Sequence, residues 1–343
     1  MINPSAKLNK KVLTQKPEMT PIRNGFGSAI TQLGEKNKNV VVLSADLTES
    51  TRAEDFSKKF PERFFSVGVA EQNLITMASG FGVSGKIPFA CSYAVFSPGR
   101  NWEQIRTTVA YNNSNVKIAG HHAGLVTGPD GATHQAIEDI ATMRAMPNMR
   151  IFVPCDAVEA EKMTIAAAKI YGPIYLRFSR NETPVITTKE TPLNPDKAEI
   201  FYDSSLKKSR KTKKGSVLLV ACGHMVYDAL LAAKELEEKD IASVVLNMHT
   251  IKPLDEKTLI ECARRCDGVI TAEDHNIIGG LGGAVAEALA KKLPKRMELI
   301  GTKDVFGESG ETDELKRKYE IDSKAIVKAA EKMIKETKRK TAE

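Results

Sequence analysis

The sequence is poor in cysteine and in aromatic residues, and it has no long apolar run. Five cysteines, Cys91, Cys155, Cys222, Cys262 and Cys266, are scattered over 343 residues. Their odd number and spread argue against a disulfide framework, and Cys262 with Cys266 lacks the second pair or nearby histidine of a zinc site. Reduced structural thiols are expected. No segment reaches the roughly 18 apolar residues that a membrane span needs. The N-terminal stretch MINPSAKLNKKVLTQKPEMT has no apolar centre and does not read as a signal peptide. A cytoplasmic protein with no membrane partner is therefore expected. Aromatic residues make up 6% of the chain, with a single tryptophan, which bears on the net charge of +7. Basic surfaces that bind single-stranded nucleic acid interleave cations with stacking aromatics. The densest basic runs here, LKKSRKTKKGS (206–216) and the tail KMIKETKRKTAE, contain none. They read as a solvated linker and a helix end, so no nucleic acid is expected, while an acidic substrate stays compatible with the charge.

What is present is alternation. Hydrophobic content of 42% and charged content of 27% are ordinary for a globular protein, and the length allows two domains or three. Short β-branched runs predict strands at VVVLSAD (40–46), RFFSVG (63–68), KIPFACS (86–92), VKIAGHH (116–122), RIFVPC (150–155) and PIYLRFS (173–179). Amphipathic stretches lie between them, such as DAVEAEKMTIAAAKI (156–170), which opens on an aspartate cap. The pattern lapses from about 187 to 214, where Pro, Ser and Lys dominate. It resumes with SVLLVAC (216–222), DALLAAKELEEK (228–239), ASVVLNM (242–248), GVITAED (268–274) and GGAVAEALAKKL (282–293). The expected class is α/β, with two domains, each a mostly parallel sheet covered by helices. The expected division is an N-terminal extension (1–19), a first domain (20–190), a basic linker (191–214) and a second domain (215–343). No short-period repeat interrupts it.

Open α/β sheets form their sites at the carboxyl ends of the strands. Asp46, Glu71, His121, His122 and Arg180 each follow an expected strand directly, and five such residues in one domain point to a single polar rim. Glu71 is the oddest of them. In FFSVGVAEQNLIT (64–76) it separates two apolar runs, where a carboxylate is costly unless it is paired or its pKa rises. Val67, Val69 and Leu74 would push that pKa upward. A plainer reading makes Glu71 a first-turn carboxylate favoured by the helix dipole.

Four motifs in fixed order, SADLTES, FSVGVAEQN, GLVTGPDGATHQAIEDIATMRAMPNMRIFVP and LRFSRNETP, resemble the pyrimidine-binding domain of transketolase. LNMHTIKPLD and AEDHNIIGGLGG resemble that family's C-terminal domain. The resemblance covers nearly the whole chain from about residue 20. It implies transfer of a two-carbon ketol unit between phosphorylated ketose and aldose sugars, with thiamine diphosphate as cofactor, as in the pentose phosphate pathway. Xylulose 5-phosphate and ribose 5-phosphate are the substrates it implies. The family's Gly-Asp-Gly motif and downstream Asn, which hold the metal and the diphosphate, have no counterpart here; CDGVI (266–270) and GPDGATH (128–134) lie in the wrong setting. The implied protein is the C-terminal subunit of a split transketolase. An N-terminal subunit would carry the diphosphate-binding domain and the Mg2+ or Ca2+ ion, and this chain would bind no metal. Two chains of each kind would form a heterotetramer, with an exposed apolar interface on the isolated chain, and a homodimer of this chain would be inactive.

The resemblance also implies roles for single residues. The glutamate matching Glu71 hydrogen-bonds a ring nitrogen of the cofactor's aminopyrimidine and favours the tautomer that activates its nucleophilic carbon. Tyr93 and Phe96, in CSYAVFSPGRNWEQIR (91–106), match the aromatics that stack on the ring. SPG (97–99) adds one residue to the family pattern, so Trp102 is either a third wall or an ordinary core aromatic. Arg23, Ser50, His122 and Arg180 match the phosphate-binding positions and favour a sugar phosphate over an unphosphorylated 2-oxoacid. Asp130 and His134 match residues that contact substrate hydroxyls beside the bond being broken, and glycines around Asp130 allow a tight loop there. Asp46 matches a residue near the cofactor and the dimer contact. His275 is expected to be structural, at a subunit contact, and GGLGG (279–283) lacks the spacing of a dinucleotide fingerprint. Three other functions fit less well. The pair His121–His122 weighs against deoxyxylulose-phosphate synthase, and the phosphate set weighs against the beta subunit of a 2-oxoacid dehydrogenase. Retention of Glu71, Asp130 and His134 weighs against a non-catalytic binding half.

Overall fold

The computed structural model describes residues 1–14, 16–206 and 214–342. Its first sheet has seven strands in the order Thr250–Lys252, Arg150–Phe152, Ile174–Arg177, Lys117–His121, Ile87–Tyr93, Val40–Ser44 and Phe64–Ser66. Six are parallel; the edge strand Thr250–Lys252 runs antiparallel and comes from the second half of the chain. Val40–Ser44 is buried at every position, as is Ile174–Arg177. Parallel strands covered on both faces read as unbroken apolar runs, which explains why these were legible from composition. Asp156 caps the helix Ala157–Lys169 by accepting from Glu159 N, as the sequence pattern predicts.

The second sheet has five strands in the order Met297–Thr302, Gly268–Asn276, Gly215–Ala221, Ile241–Asn247 and Glu199–Asp203. Only Glu199–Asp203 runs antiparallel. The class is therefore α/β with two mostly parallel sheets. Among the described residues no helix is long and apolar enough to cross a membrane.

Two segments differ from the expected division. The stretch 191–214, expected as a linker, contains the strand Glu199–Asp203, whose EIFYD run is short and flanked by Pro and Lys on one side and Ser and Lys on the other. Most of the basic run, 207–213, lies outside the described residues. The N-terminal extension is also tied down. Ala6, Leu8 and Val12 are buried in the same cluster as Leu219 and Tyr202, and Asn3 donates to the strand through its N to Phe201 O and its Nδ2 to Ile200 O. Residues 1–14 thus strap across the second sheet.

The two halves share their packing. One apolar cluster joins Ile140, Met143 and Ile151 of the first half to Leu218, Val220 and Leu246 of the second. Buried polar contacts follow the same seam: Arg177 donates to Asp139 and to Asp274 O, and Asn247 donates to Glu159 at 2.8 Å. A contiguous core of this kind leaves the halves little freedom to move apart. All five cysteines are buried and free.

Candidate active site

Glu71 opens the helix Glu71–Val83, just past the strand Phe64–Ser66, and its side chain is 1% exposed. Of the apolar residues expected around it, Leu74 is buried, but Val69 points outward and is 72% exposed. Arg100 Nη1 donates to Glu71 Oε2 at 2.7 Å. The guanidinium also lies over the Phe96 ring, 4.8 Å from its centroid. Asn101 fixes the helix start by donating to Glu71 O at 2.9 Å. The other carboxylate oxygen, Oε1, is buried with no hydrogen-bond partner.

The SPG turn has a physical consequence. The chain turns tightly at Gly99, where a Cβ would meet Val95 O at 2.1 Å. Arg100 N closes the turn on Phe96 O at 2.8 Å, and the turn aims the Arg100 side chain back at Glu71. Trp102 leaves the aromatic wall: it donates to Thr142 O and lines a separate crevice with Pro98 and Ala136.

Next to Glu71 lies an aromatic and histidine cluster. Tyr93 and Phe96 stack at 6.0 Å with planes 16° apart. Phe96 meets His134 edge-on at 5.3 Å, and Tyr93 covers the His122 ring at 3.9 Å. His134 is also bound to Thr133 Oγ1 at 2.9 Å. His122 follows the strand Lys117–His121 in a left-handed conformation, φ 53°, and is 1% exposed. Its Nε2 lies 3.2 Å from Arg23 Nη1. Arginine only donates, so Nε2 accepts and the proton of the neutral ring sits on Nδ1. That Nδ1 is buried and has no partner. Burial first, and then the charges of Arg23, Arg180, His134 and Arg52, pull the His122 pKa down to about 3.

Arg23 lies in the first turn of the helix Ile22–Lys36 and donates to Ser50 O at 2.9 Å. Its Nε is buried without a partner. Arg180 donates to Thr127 O at 3.1 Å. Glu71, Arg100, Phe96, His134, Tyr93, His122, Arg23 and the Ser50 carbonyl thus form one continuous line. Asp130 ends the turn Leu125–Asp130 between two left-handed glycines, Gly128 and Gly131, and is exposed. Asp46 is exposed in a left-handed conformation, φ 60°, and does not join the line.

The second half of the chain holds the loop that carries Asp130 and His134. Asp274 accepts from Leu125 N at 2.8 Å, Val126 N at 3.3 Å and His224 Nε2 at 3.0 Å. A side chain at Gly124 would collide with it, since a Cβ there would lie 2.0 Å from Asp274 Oδ2. Burial alone would raise the Asp274 carboxyl, but the hydrogen bond and charge of His224 and the charge of Arg177 hold it below its ordinary value. Gln135 bonds the far side of the loop to Glu308 O at 2.9 Å. His275 accepts from Ala141 N at 3.3 Å and donates to Asn276 O, so within the chain it ties the two halves together. GGLGG is no anion loop either, because Glu273 already occupies the amides of Leu281 and Gly282. Sequence reasoning missed Arg100, Arg52, Gln135 and Asp274.

The site thus sits on a parallel-sheet α/β domain, with a buried, half-unpaired glutamate at one end of an aromatic wall and clustered cations at the other. Comparison with known proteins gives the family. Residues 18–185 match the transketolase pyrimidine binding domain and residues 207–326 the transketolase C-terminal domain. The chain is 44% identical to a putative transketolase C-terminal section from Methanocaldococcus jannaschii, over 90% of this chain and 94% of the relative. It is 36% identical to 6-deoxy-6-sulfo-D-fructose transketolase subunit SqwH from Clostridium sp. (strain MSTE9), over 90% and 93%. A solved structure described as a split gene transketolase, inactive beta4 tetramer, superposes with a TM-score of 0.82 at 43% identity, covering 92% of this chain and 98% of that one. The chain belongs to the transketolase family.

Proposed function

We propose that this chain is the C-terminal subunit of a split, thiamine-diphosphate-dependent transketolase that moves a two-carbon ketol unit between phosphorylated sugars. The observation that carries the reading is Glu71 Oε1, a buried carboxylate oxygen with no partner, beside the Tyr93–Phe96 wall. An aromatic nitrogen heterocycle laid against that wall would complete its hydrogen bonding, so these residues fit the pyrimidine half of the cofactor. When bound, thiamine diphosphate supplies a nucleophilic carbon and an electron sink.

The residues of this chain would do the rest. Glu71 would hold or share a proton at the ring nitrogen, with Arg100 balancing its charge. Tyr93 and Phe96 would provide the flat apolar slot. His122 would donate from Nδ1, and Arg23, Ser50 and Arg180 would hold the sugar phosphate. Asp130 and His134 would contact the sugar hydroxyls from a loop fixed by Asp274. The diphosphate and its Mg2+ or Ca2+ would be held by an N-terminal subunit, in an assembly of two chains of each kind. The inactive tetramer described for the split-gene relative supports this dependence on a partner.

The test is ketol transfer from xylulose 5-phosphate to ribose 5-phosphate with thiamine diphosphate and Mg2+. The purified chain is assayed alone and with a diphosphate-binding subunit. Activity is expected only in the mixture; turnover by the chain alone would refute the split arrangement, and none in the mixture would refute the assigned reaction.

A further inference from the structure

Three guanidinium groups meet at the cationic end of the site, and none forms an ion pair with a carboxylate among the described residues. Arg23 and Arg180 spend donors on carbonyls. The third, Arg52, donates through Nε to Asn24 Oδ1 at 2.9 Å, and its two Nη groups have no acceptor among the described residues. We propose that Arg52 is an additional anion-binding residue that makes this site select a dianionic phosphate monoester over a monoanionic sulfonate; this rests on the sugar-phosphate reading above.

The backbone brings Arg52 there at some cost. Its φ is 61°, the left-handed region that a non-glycine residue occupies only when its surroundings impose it. The turn is fixed by Thr51, fully buried, whose N and Oγ1 both bond Leu47 O, and by Arg52 N on Glu49 O at 2.9 Å. Gly27 of the facing helix leaves the room: a Cβ there would lie 2.7 Å from Arg52 Cβ. Arg52 thereby stands two residues beyond Ser50, whose carbonyl Arg23 holds, and bonds Asn24, the residue after Arg23. Burial lowers the Arg23 pKa, and among neighbouring charges Arg52 opposes Arg23 more than Arg180 does. Glu49, Glu54 and Asp55 share a surface cleft with Arg52 without pairing with it, and Glu54 is taken by Lys58.

Three converging like charges require more than one counter-charge. A phosphate monoester supplies close to two at pH 7, its second pKa being about 6, and a sulfonate of the same tetrahedral shape supplies one. The chain's similarity to a relative named for a sulfonated sugar makes this discrimination a real choice. Arg23 Nε and His122 Nδ1, both buried and unpartnered, are donors either anion would engage. Arg52 adds the charge that only the dianion rewards.

The experiment titrates the full chain with methyl phosphate and with methanesulfonate by calorimetry, for the unaltered protein, Arg52→Gln and Arg52→Lys. The expected result is about tenfold tighter binding of methyl phosphate by the unaltered protein at pH 7.5, within the range of one charge-assisted hydrogen bond. Arg52→Gln should remove that preference while changing methanesulfonate affinity less than about twofold, and Arg52→Lys should keep part of it. The preference should also shrink below pH 6, as methyl phosphate takes up its second proton. Equal affinities in the unaltered protein, or equal losses for both anions in Arg52→Gln, would overturn the proposal. A preference for methyl phosphate together with a ketol-transfer assay that stays silent would retain this inference and reject the assigned reaction.

Discussion

The two ends of the candidate site handle charge in opposite ways. At one end a single carboxylate, Glu71, is buried but arrives with a counter-ion, Arg100, already in place. At the other, Arg23, Arg52 and Arg180 gather around a neutral His122, and no carboxylate among the described residues pairs with them. Taking charge out of water is expensive, so an isolated buried acid must be paired within the chain. Half-exposed guanidiniums tolerate being left open, because solvent screens them until an anion arrives. The acid end thus carries its own counter-charge within the chain, while the cationic end stays open, and under the proposed function these ends would serve the cofactor and the substrate respectively.

The sharpest way to break that comparison is to remove the acid without changing its shape. Glu71→Gln keeps the side-chain volume and the bond to Arg100 but cannot hold or release a proton. Turnover of the assembled enzyme is expected to fall by about a thousandfold, in the range of a lost general acid–base group. The assembly, measured by size-exclusion chromatography, should be unchanged. Near-normal turnover would remove Glu71 from the chemistry and leave its burial as a purely structural matter.

A second prediction, smaller in effect, asks whether the acid end is really balanced within the chain. Arg100→Ala leaves Glu71 Oε2 without its donor. Breaking a fully buried pair costs about 3–5 kcal/mol, but the Arg100 side chain is 51% exposed, so about 1–2 kcal/mol is expected after screening. In a chain of this size that lowers the Tm by only a few degrees. The double variant Glu71→Gln with Arg100→Ala should recover most of the loss, because no buried charge is left unpaired. Additive losses in the thermal scans would show that the two side chains are not coupled.

These two residues also mark the boundary of what the sequence reveals. Glu71 is legible because a carboxylate between two apolar runs is anomalous in any one-dimensional reading. Arg100 is not, because its reach depends on a turn that exists only through the close approach of Gly99 to Val95 O. The parallel strands were readable because burial on both faces leaves continuous apolar runs, as in Val40–Ser44. The antiparallel edge strand Glu199–Asp203 was hidden by its polar flanks. Asp274 shows the deeper limit. It holds the loop that carries Asp130 and His134 by bonds to residues 149 and 148 positions away in the chain, and no local periodicity encodes such a pairing.

The smallest effect sharpens the cationic end, through the residue beside His122. His121 is fully buried between the rings of Phe26 and Phe178, at 4.8 and 5.0 Å, and neither ring nitrogen has a partner. Burial, with the charges of His122 and Arg23, holds its pKa well below the ordinary value. The unfolded chain takes up a proton on this residue below about pH 6.5 while the folded chain does not, so the folded state loses stability as pH falls through that range. At pH 5 the loss from one such group amounts to at most about 2 kcal/mol. Replacing the ring with an apolar side chain, His121→Leu, should therefore narrow the difference in urea stability between pH 7 and pH 5 by up to that amount. An unchanged difference would mean that His121 carries its proton in the folded state. The strand end would then present a cationic His121 beside the neutral His122, rather than a neutral pair.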